Sequence, residues 1–389
     1  MMKNNSMKKI KIARVTTIPL AFVHFKSHLV SWRDSGAEVH LIASAGDYWK
    51  TLDEEVGLQK HIVNIPRDIS PLRDLCAVFD LWKLFRKEKY DIVHSTTPKA
   101  GLLVAIAGFL ARVPVRLHTF TGQRWATLNG PLRFFLKALD YLVSRLNTHS
   151  FADSPSQVEF LKGERAVHPQ KISCLHKGCL GGIDFKKFDV EKWPDQKVKL
   201  RKELNIDFDS LLLFYLGRIT RDKGIEELIE AFLNLLTQGH KLHLVFVGDF
   251  EEPLAPAIKQ TILAHSRIRF LGFQNKPQAY LAGADVFCMP SYREGFGTVI
   301  LEAAAFKLPS IGTKIPGLID SIIDNETGIL VEVKNSLALE KAIKKFIEIP
   351  DLKFQLGENA YQRAKKDFED SILSEAMWKE YLRLIPIDD

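Results

Sequence analysis

Two short segments in the second half of the chain contain charged residues at spacings suited to binding a phosphorylated ligand. In YLGRITRDKG, Arg218 and Lys223 lie five residues apart in a loop that follows an apolar run. In SYREGFGTVILEA, Glu294 and Glu302 lie on either side of a Gly-Phe-Gly turn. Guanidinium and ammonium groups bind phosphate oxygens, and carboxylates accept hydrogen bonds from hydroxyl groups. The four side chains therefore indicate a ligand that carries both phosphates and hydroxyls.

The first segment predicts an anion site at the start of a helix. Lys223 and Gly224 come just before the helical pattern IEELIEAFLNLLTQ. Free N–H groups and the helix dipole favour negative charge at such a position. Arg218 adds a planar donor group and Lys223 a mobile point charge. The alternative is a turn with ordinary surface cations.

The second segment predicts a glycine turn that brings backbone and carboxylates to the same ligand. Gly295 and Gly297 permit positive φ or a close backbone approach. We expect Thr298 to cap the following helix, whose free N–H groups would form a second anion site. Glu302 lies one turn into that helix and Glu294 precedes the turn, so one can face a ribose and the other a transferred sugar. This pattern predicts a sugar-nucleotide pocket; the alternative is a capped helix with Glu302 in a salt bridge.

The pattern of apolar runs predicts the elements that position these loops. Short apolar runs such as IKIARVTT, EVHLIAS, LLLFYLG and HLVFVG alternate with amphipathic stretches in both halves. Such alternation is typical of α/β domains with parallel sheets covered by helices. A chain of 389 residues is expected to form two domains. We place the first at 1–185, the second at 186–370 and a last helical segment at 371–389, with ligands at the carboxyl ends of the strands.

Charge differs between the two halves of the chain. Residues 1–185 contain 26 Lys and Arg against 16 Asp and Glu, whereas residues 186–389 contain 28 against 31. The basic first domain suggests an anionic partner or surface, and a solvated lysine-rich face is the alternative. No basic stretch is interleaved with aromatic residues, which argues against a nucleic-acid partner.

Other features of the sequence bear on where the protein works. Its four cysteines form no CxxC pair and no metal-ligand spacing, which favours a reducing compartment. Arg14 interrupts the apolar part of the basic N-terminus, so we interpret Lys9–Thr16 as a first strand and not as a signal peptide. The longest apolar run, Ala100–Ala111, is too short to span a bilayer. We therefore expect a soluble or peripheral protein.

These motifs carry a resemblance to a known family. The Gly-Arg pair followed by Lys223, together with the two glutamates of PSYREGFGTVILEA, resembles the retaining glycosyltransferases of family 4. Their GT-B fold consists of two Rossmann-like parallel-sheet domains facing a central cleft. HFKSHLVSWRDSGAEVHLIAS, DIVHSTTPKAGLLVAIAG and CLHKGCLGGIDFKKF are similar to further segments of the family, in the expected order. The resemblance covers most of the chain.

The resemblance implies roles for individual residues. Arg218 and Lys223 would stabilise the diphosphate leaving group, while Glu302 would bind the ribose and Glu294 the donor sugar. His118, in VRLHTFTG, falls where the family often has a histidine that contacts the donor sugar; the alternative is a hydrogen-bonded histidine at a strand end. The implied catalytic residues are Glu294, His118, Arg218 and Lys223, and the implied donor-binding residues are Gly217, Arg218, Lys223, Glu294, Gly295, Phe296, Gly297, Thr298 and Glu302.

The resemblance also implies a reaction and a setting. A hexose or N-acetylhexosamine would pass, with retention, from a nucleotide sugar to an acceptor hydroxyl, and we interpret the nucleotide as UDP. HSTTPKAG and the CLHKGCLGGIDFKKF segment point to bacterial surface polysaccharide or lipopolysaccharide assembly. The acceptor would then be a saccharide, linked to a lipid diphosphate, at the cytoplasmic face of the inner membrane. Residues 131–145 (PLRFFLKALDYLVSR) in the basic domain could touch that surface; the alternative is a core-packed helix.

Neither a metal nor another cofactor is expected. Asp207-Phe208-Asp209 matches the DxD metal signature of the other main glycosyltransferase fold, but it precedes the strand LLLFYLG, at the wrong end for the ligand site. Two alternatives stay open for the whole chain: a sugar-nucleotide epimerase on the same fold, and a non-catalytic sugar-nucleotide-binding partner subunit. The chain also departs from the family pattern. VTTIPLAFVHF lacks the glycine pair after the first strand, and Leu180-Gly181 replaces the usual Gly-Asn of the hinge.

Overall fold

The computed structural model describes residues 9–251, 260 and 265–386. The chain forms two compact units: one contains the residues up to Gly182 and those from Asp370 onward, and the other is Ile183–Glu369. The sequence placed these two boundaries slightly later along the chain, after residues 185 and 370. Each unit contains its own parallel sheet, which confirms the expected fold class of two parallel-sheet α/β domains.

The sheet of the first unit has the strand order β3-β2-β1-β4-β5-β6-β7, and every neighbouring pair is parallel. Every residue of β4 is buried, because helices cover both faces of a parallel sheet. Such strands have no alternate positions that face solvent, and β4 includes the buried polar residues His94, Ser95 and Thr96. The strands are β1 (Lys11–Val15), β2 (Glu38–Ala43), β3 (Gln59–Ile62), β4 (Ile92–Thr96), β5 (Val115–Phe120), β6 (His149–Ala152) and β7 (Ile172–Cys174).

Helices connect successive strands, because parallel strands need a crossover connection and cannot be joined by a tight hairpin. Pro71, Pro98 and Pro155 each begin a helix, where proline's missing N–H has no intrahelical acceptor and its φ is already helical. The helices are α1 (Lys26–Asp34), α2 (Tyr48–Glu55), α3 (Pro71–Glu88), α4 (Pro98–Ala111), α5 (Gly130–Leu146) and α6 (Pro155–Gly163). Helix α4 packs between α3 and α5.

The sheet of the second unit has the order β10-β9-β8-β11-β12-β13, again with parallel pairs. Its strands are β8 (Leu211–Leu216), β9 (Leu242–Val247), β10 (Ile268–Phe270), β11 (Val286–Met289), β12 (Ser310–Thr313) and β13 (Gly328–Val331). The described helices of this unit are α7 (Gln196–Glu203), α8 (Ile225–Thr237), α9 (Gln278–Gly283), α10 (Thr298–Ala305), α11 (Leu318–Ser321), α12 (Ser336–Glu348) and α13 (Pro350–Asp367).

The last helix, α14 (Asp370–Leu384), belongs to the first unit and packs on α1. The buried Tyr381 hydroxyl accepts a hydrogen bond from Arg14 Nη1 (3.1 Å) and bonds His94 Nδ1 (2.7 Å). His94 Nε2 in turn lies 2.8 Å from Thr119 Oγ1. A network of buried polar groups therefore ties the end of the chain to β1, β4 and β5. None of the described helices combines the length and the apolar character needed to cross a bilayer.

Candidate active site

The two loops singled out in the sequence leave neighbouring strands at the point where the strand order of the second sheet reverses. From β8 the chain continues to β9 and β10 on one side, whereas β11, β12 and β13 lie on the other. The connections after β8 and β11 therefore diverge at their carboxyl ends. This reversal point is where open α/β sheets bind their ligands.

The loop after β8 begins with Gly217 and ends with Gly224 at the start of α8. The Tyr215 hydroxyl donates a hydrogen bond to the Arg218 carbonyl (2.7 Å), which holds the first part of the loop. Gly224 has φ +67, and a Cβ placed on it would lie 2.1 Å from the Pro290 carbonyl oxygen. The loop can therefore approach the end of β11 only because residue 224 is glycine.

Lys223 and Glu294 meet where the two loops touch. Lys223 Nζ lies 2.5 Å from Glu294 Oε1, and each side chain is 14% exposed. The structure thus joins directly two residues that the sequence assigned to different parts of the ligand. A cation and a carboxylate therefore lie side by side at the carboxyl ends of β8 and β11.

A second pair strengthens the contact between these loops. Arg293 Nη2 lies 2.8 Å from Asp222 Oδ2, and the Tyr292 N–H donates to the Asp222 carbonyl (2.8 Å). Burial raises the pKa of Asp222, but the Thr220 hydrogen bond and the nearby cations outweigh it and hold the pKa below its ordinary value. Asp222 is therefore a carboxylate at neutral pH that fixes the loop carrying Lys223.

Arg218 has a different environment. Its Nη1 lies 2.5 Å from Glu251 Oε2, and both side chains are half-exposed. A pair so open to water contributes little to stability. The guanidinium can exchange Glu251 for another anion at small cost.

The glycine turn leads into α10, and the structure changes the roles of two of its residues. Gly297, with φ +77, occupies the N-cap position and Thr298 is the first helical residue, so the prediction that Thr298 caps the helix is wrong. A cap must precede the helix, and only glycine adopts this φ without strain. The Phe296 side chain is buried against Phe368, with ring centroids 5.1 Å apart, so this ring is part of the core of the second unit.

Glu302 is the fifth residue of α10 and is half-buried. Burial raises its pKa to about 7, and the positive charge of Lys187 only partly offsets this effect. A carboxyl group near half ionisation at neutral pH both accepts and donates hydrogen bonds. That chemistry suits a pair of vicinal hydroxyls.

His118 lies in the first unit, on β5. The ring is buried, its Nδ1 lies 2.9 Å from Ser95 Oγ, and it packs edge-on against Phe120. A Cβ on Gly101 of α4 would lie 2.4 Å from the ring, so the helix fits closely over it. Burial lowers the pKa of His118 to about 3, helped by Arg14, and the imidazole is neutral throughout the physiological range.

The aspartates of the DxD sequence lie in the turn before β8. Asp209 Oδ2 pairs with Lys241 Nζ (2.5 Å) at a well-exposed position. This end of β8 is the amino end, whereas Arg218 and Lys223 follow its carboxyl end. The two aspartates are therefore separated from Arg218 and Lys223 by the whole length of β8.

Sequence reasoning missed Asp222, Arg293 and Glu251. The signal for two of them was present, because Asp222-Lys223 and Arg293-Glu294 are complementary dipeptides in loops that leave parallel, adjacent strands. Pairing them requires knowing that β8 and β11 are neighbours. Nothing in the sequence around Glu251 marks it as the partner of Arg218.

Comparison with known proteins identifies the family. Residues 196–363 match the model of glycosyl transferases group 1, and residues 23–178 match that of the glycosyl transferase 4-like domain. The capsular polysaccharide biosynthesis glycosyltransferase CapM of Staphylococcus aureus is 30% identical over 377 residues, which cover 96% of this chain and 97% of CapM. An Escherichia coli UDP-Gal:alpha-D-GlcNAc-diphosphoundecaprenol alpha-1,3-galactosyltransferase is 29% identical over 355 residues, 88% of each chain.

The fold is shared with solved glycosyltransferase structures. HepE from Anabaena, crystallised with UDP and glucose, superposes with a TM-score of 0.80 at 21% identity, covering 96% of this chain and all of HepE. The two family models match the two halves of the chain, and each half forms a parallel-sheet unit. The protein is therefore a glycosyltransferase. The chain belongs to the GT-B glycosyltransferases of bacterial surface-polysaccharide type.

Proposed function

We propose that this enzyme moves a hexose or N-acetylhexosamine from a UDP-sugar to a lipid-diphosphate-linked saccharide, with retention and without a metal. The observation that carries the proposal is the contact of Lys223 with Glu294 at the carboxyl ends of β8 and β11. In this pair a cation lies beside a carboxylate where such sheets bind ligands, which supports phosphate and hydroxyl contacts to one ligand. The Escherichia coli relative is named for a UDP-sugar donor and a diphosphoundecaprenol-linked acceptor, which supports the same substrate classes here.

In the proposed reaction the chain acts by positioning and by charge. The bond between the anomeric carbon and the phosphate oxygen breaks with its electron pair on the departing UDP. The acceptor hydroxyl forms the new bond on the same face of the sugar, and its proton passes to the departing phosphate oxygen. Lys223 and Arg218 stabilise the charge that develops on this diphosphate. No side chain need become covalently attached to the sugar.

The Lys223–Glu294 pair explains how the empty site stays stable. Each group compensates the charge of the other at a largely buried position. A bound donor replaces both halves of this ion pair, because its phosphate oxygens bind Lys223 and its sugar hydroxyls donate hydrogen bonds to Glu294. Arg218 makes the corresponding exchange with Glu251.

Glu302 provides the ribose contact in this proposal. Its half-buried carboxyl, with a pKa raised to about 7, exchanges an unfavourable apolar setting for hydrogen bonds from two hydroxyls. The backbone of the glycine turn and the start of α10 face the phosphates. His118 is proposed to contact the donor sugar as a neutral hydrogen-bonding group, since its low pKa rules out proton exchange near neutral pH.

The proposed place of action is the cytoplasmic face of the inner membrane. The four cysteines of the sequence include no CxxC pair, which fits a reducing compartment. The first domain defined from the sequence, residues 1–185, is basic and suits a diphosphate-bearing acceptor. Both observations support a cytoplasmic enzyme that receives its acceptor from the membrane.

Thermal shift with a nucleotide panel tests the donor site. We expect UDP to raise the melting temperature, with EDTA present, and GDP and ADP to have less effect, because a ligand of the folded state stabilises it by about 2.7 kcal/mol at 100 times its Kd. The shift should disappear in Arg218→Ala and persist in Lys241→Ala, which removes an exposed cation of the same unit. A folded protein that no nucleotide stabilises would overturn the proposal.

Product analysis tests the reaction itself. Incubation with UDP-sugars and an undecaprenyl-diphosphate saccharide should give a product whose new linkage keeps the anomeric configuration of the donor, measured by NMR. Turnover should survive EDTA, and its loss on chelation with recovery by Mg²⁺ or Mn²⁺ would contradict metal independence. Consumption of the UDP-sugar without acceptor would indicate the epimerase, and binding without turnover the partner subunit.

A further inference from the structure

Helix α3 has a second apolar face that is exposed in the part of the chain that the structure describes. Its inner face buries Ala77, Leu81 and Phe85 against the sheet and α4. On the opposite side, Leu72 and Phe79 are 79% and 59% exposed, one helical repeat of seven residues apart. Leu75, 67% exposed, and the exposed Cys76 belong to the same face. Large apolar side chains aligned along a helix are unusual on a free surface.

Helix α5, the segment 131–145 singled out above, repeats this arrangement. Val143 and Ser144 are its buried residues, whereas Phe134 and Phe135 are 69% and 52% exposed. The outer face also contains Leu132, Tyr141 and Leu142. The alternative of a core-packed helix therefore holds for the inner face, where Val143 is buried and Leu136 packs against the core, but not for the exposed aromatic rings.

The two outer faces belong to one layer of helices. Helices α3, α4 and α5 follow β3, β4 and β5, and α4 packs between the other two. The exposed residues of α3 and α5 lie opposite their buried ones, so both faces point away from the sheet. Phe109 and Leu110, near the end of α4, are also exposed.

On α3 and α5, cations lie on the outer faces and most acidic residues form contacts within the unit. Lys83, Arg86 and Arg145 are exposed on the same sides as the apolar residues. The acidic residues are mostly engaged inward: Asp74 pairs with Lys99 (2.5 Å), Glu88 with Lys11 (2.7 Å), and Asp140 accepts from Trp125 Nε1 (2.7 Å). Within the described α3 and α5, Asp80 is the one exposed acid. The outer faces are apolar and positive.

We propose that the outer faces of α3 and α5 dock the first unit on an anionic lipid bilayer. Apolar side chains flanked by cations are the pattern of helices that lie in the plane of a membrane surface. Each cation near an anionic surface strengthens binding about fivefold. A second copy of this chain would bring the cations of α3 and α5 against like charges, which disfavours self-association. The proposal does not depend on the donor site.

Vesicle flotation tests this docking surface. The full chain should float with phosphatidylglycerol-containing vesicles and much less with phosphatidylcholine vesicles, and binding should fall at high salt. Leu75→Ser/Phe79→Ser and Phe134→Ser/Phe135→Ser should each weaken binding at least tenfold. Lys83→Ala/Arg86→Ala should weaken it about 25-fold on anionic vesicles and little on neutral ones. Phe208→Ser, an equally exposed phenylalanine of the second unit, is the matched control and should bind like the wild type.

Two further measurements separate docking from folding and from dimerisation. UDP-induced thermal stabilisation should be unchanged in all these variants, which shows that they are folded and keeps the outcome separate from that of the donor-site proposal. Sedimentation velocity should give a monomer for the wild type. A wild type that ignores anionic vesicles, variants that bind as tightly as it does, or a dimer that the serine variants dissolve would each overturn the proposal.

Discussion

Lys223 Nζ and Glu294 Oε1 form a 2.5 Å ion pair that links the loops following β8 and β11. The neighbouring pair Asp222–Arg293 has the same offset along the chain, with the positive and negative partners exchanged between the loops. Two adjacent bridges in parallel register prevent one loop from sliding along the other. The groups proposed to bind phosphate and sugar are therefore positioned before a donor arrives, which reduces the entropy lost on binding.

Removing either partner of this pair should impair catalysis. Lys223→Ala withdraws a charge from the leaving diphosphate, so we expect kcat/KM to fall about 100- to 1,000-fold. Glu294→Gln should lower kcat by a similar factor while UDP still binds, because the glutamate contacts the sugar and not the nucleotide. Steady-state kinetics and UDP titration measure the two effects.

Lys241→Ala provides the control, since it removes an equally short pair with Asp209 at an exposed position. Neither its kinetics nor its stability should change measurably. Equal losses in Lys223→Ala and Lys241→Ala would show that charge removal anywhere in the unit is responsible.

Gly224 should tolerate no side chain. In Gly224→Ala the new Cβ would lie 2.1 Å from the Pro290 carbonyl oxygen at a residue with φ +67, so we expect a loss of about 3 kcal/mol and weaker UDP binding. Gly239→Ala has a comparable φ of +86 with no atom within 4 Å, and should lose only about 1 kcal/mol. Urea unfolding compares them; similar losses would mean that the contact with Pro290 is unimportant.

Glu302 should make the empty enzyme less stable as the pH rises. Its folded pKa of about 7 lies above the ordinary value of 4.5, so the folded state holds a proton that the unfolded chain releases between these values. Stability is therefore lost as the pH rises from about 4.5 through 7, by up to about 3 kcal/mol. Glu302→Gln should abolish this loss and be the more stable protein at pH 8.

The measurement is urea unfolding at pH 5 and pH 8, with Glu230→Gln on the exposed side of α8 as the matched substitution. The free energy of unfolding of Glu230→Gln should equal that of the wild type at pH 5 and at pH 8. A wild type and Glu302→Gln that differ by the same amount at pH 5 and pH 8 would exclude a raised pKa at Glu302.

Tyr381 should hold the last helix on the first unit. Tyr381→Phe keeps the ring but removes the hydroxyl that serves both Arg14 and His94, leaving buried polar groups without a partner. We expect a loss of about 1–3 kcal/mol. Tyr141→Phe, at an exposed position, should be neutral. Hydrogen exchange should show faster opening of α14 in the first variant only; unchanged exchange would mean that apolar packing suffices.

Much of the fold could be predicted because strands covered on both faces are rich in apolar residues. The runs containing β1, β2, β8 and β9 were identified in this way. Strand β3, with the sequence QKHI, lies at the sheet edge and is mostly exposed, so it has no apolar run to detect. Short strands such as β7 are defined by hydrogen bonds to a neighbour and not by their own composition.

By itself the sequence determined the α/β class, the family and the two loops that carry Arg218, Lys223, Glu294 and Glu302, since these depend on local residue types and spacing. Only the tertiary structure decided that Lys223 meets Glu294, that Phe296 turns into the core and that α5 exposes its aromatic rings. These relations depend on which strands are neighbours and on which helix face the sheet covers. Such facts arise from contacts between residues far apart in the chain, and local spacing does not encode them.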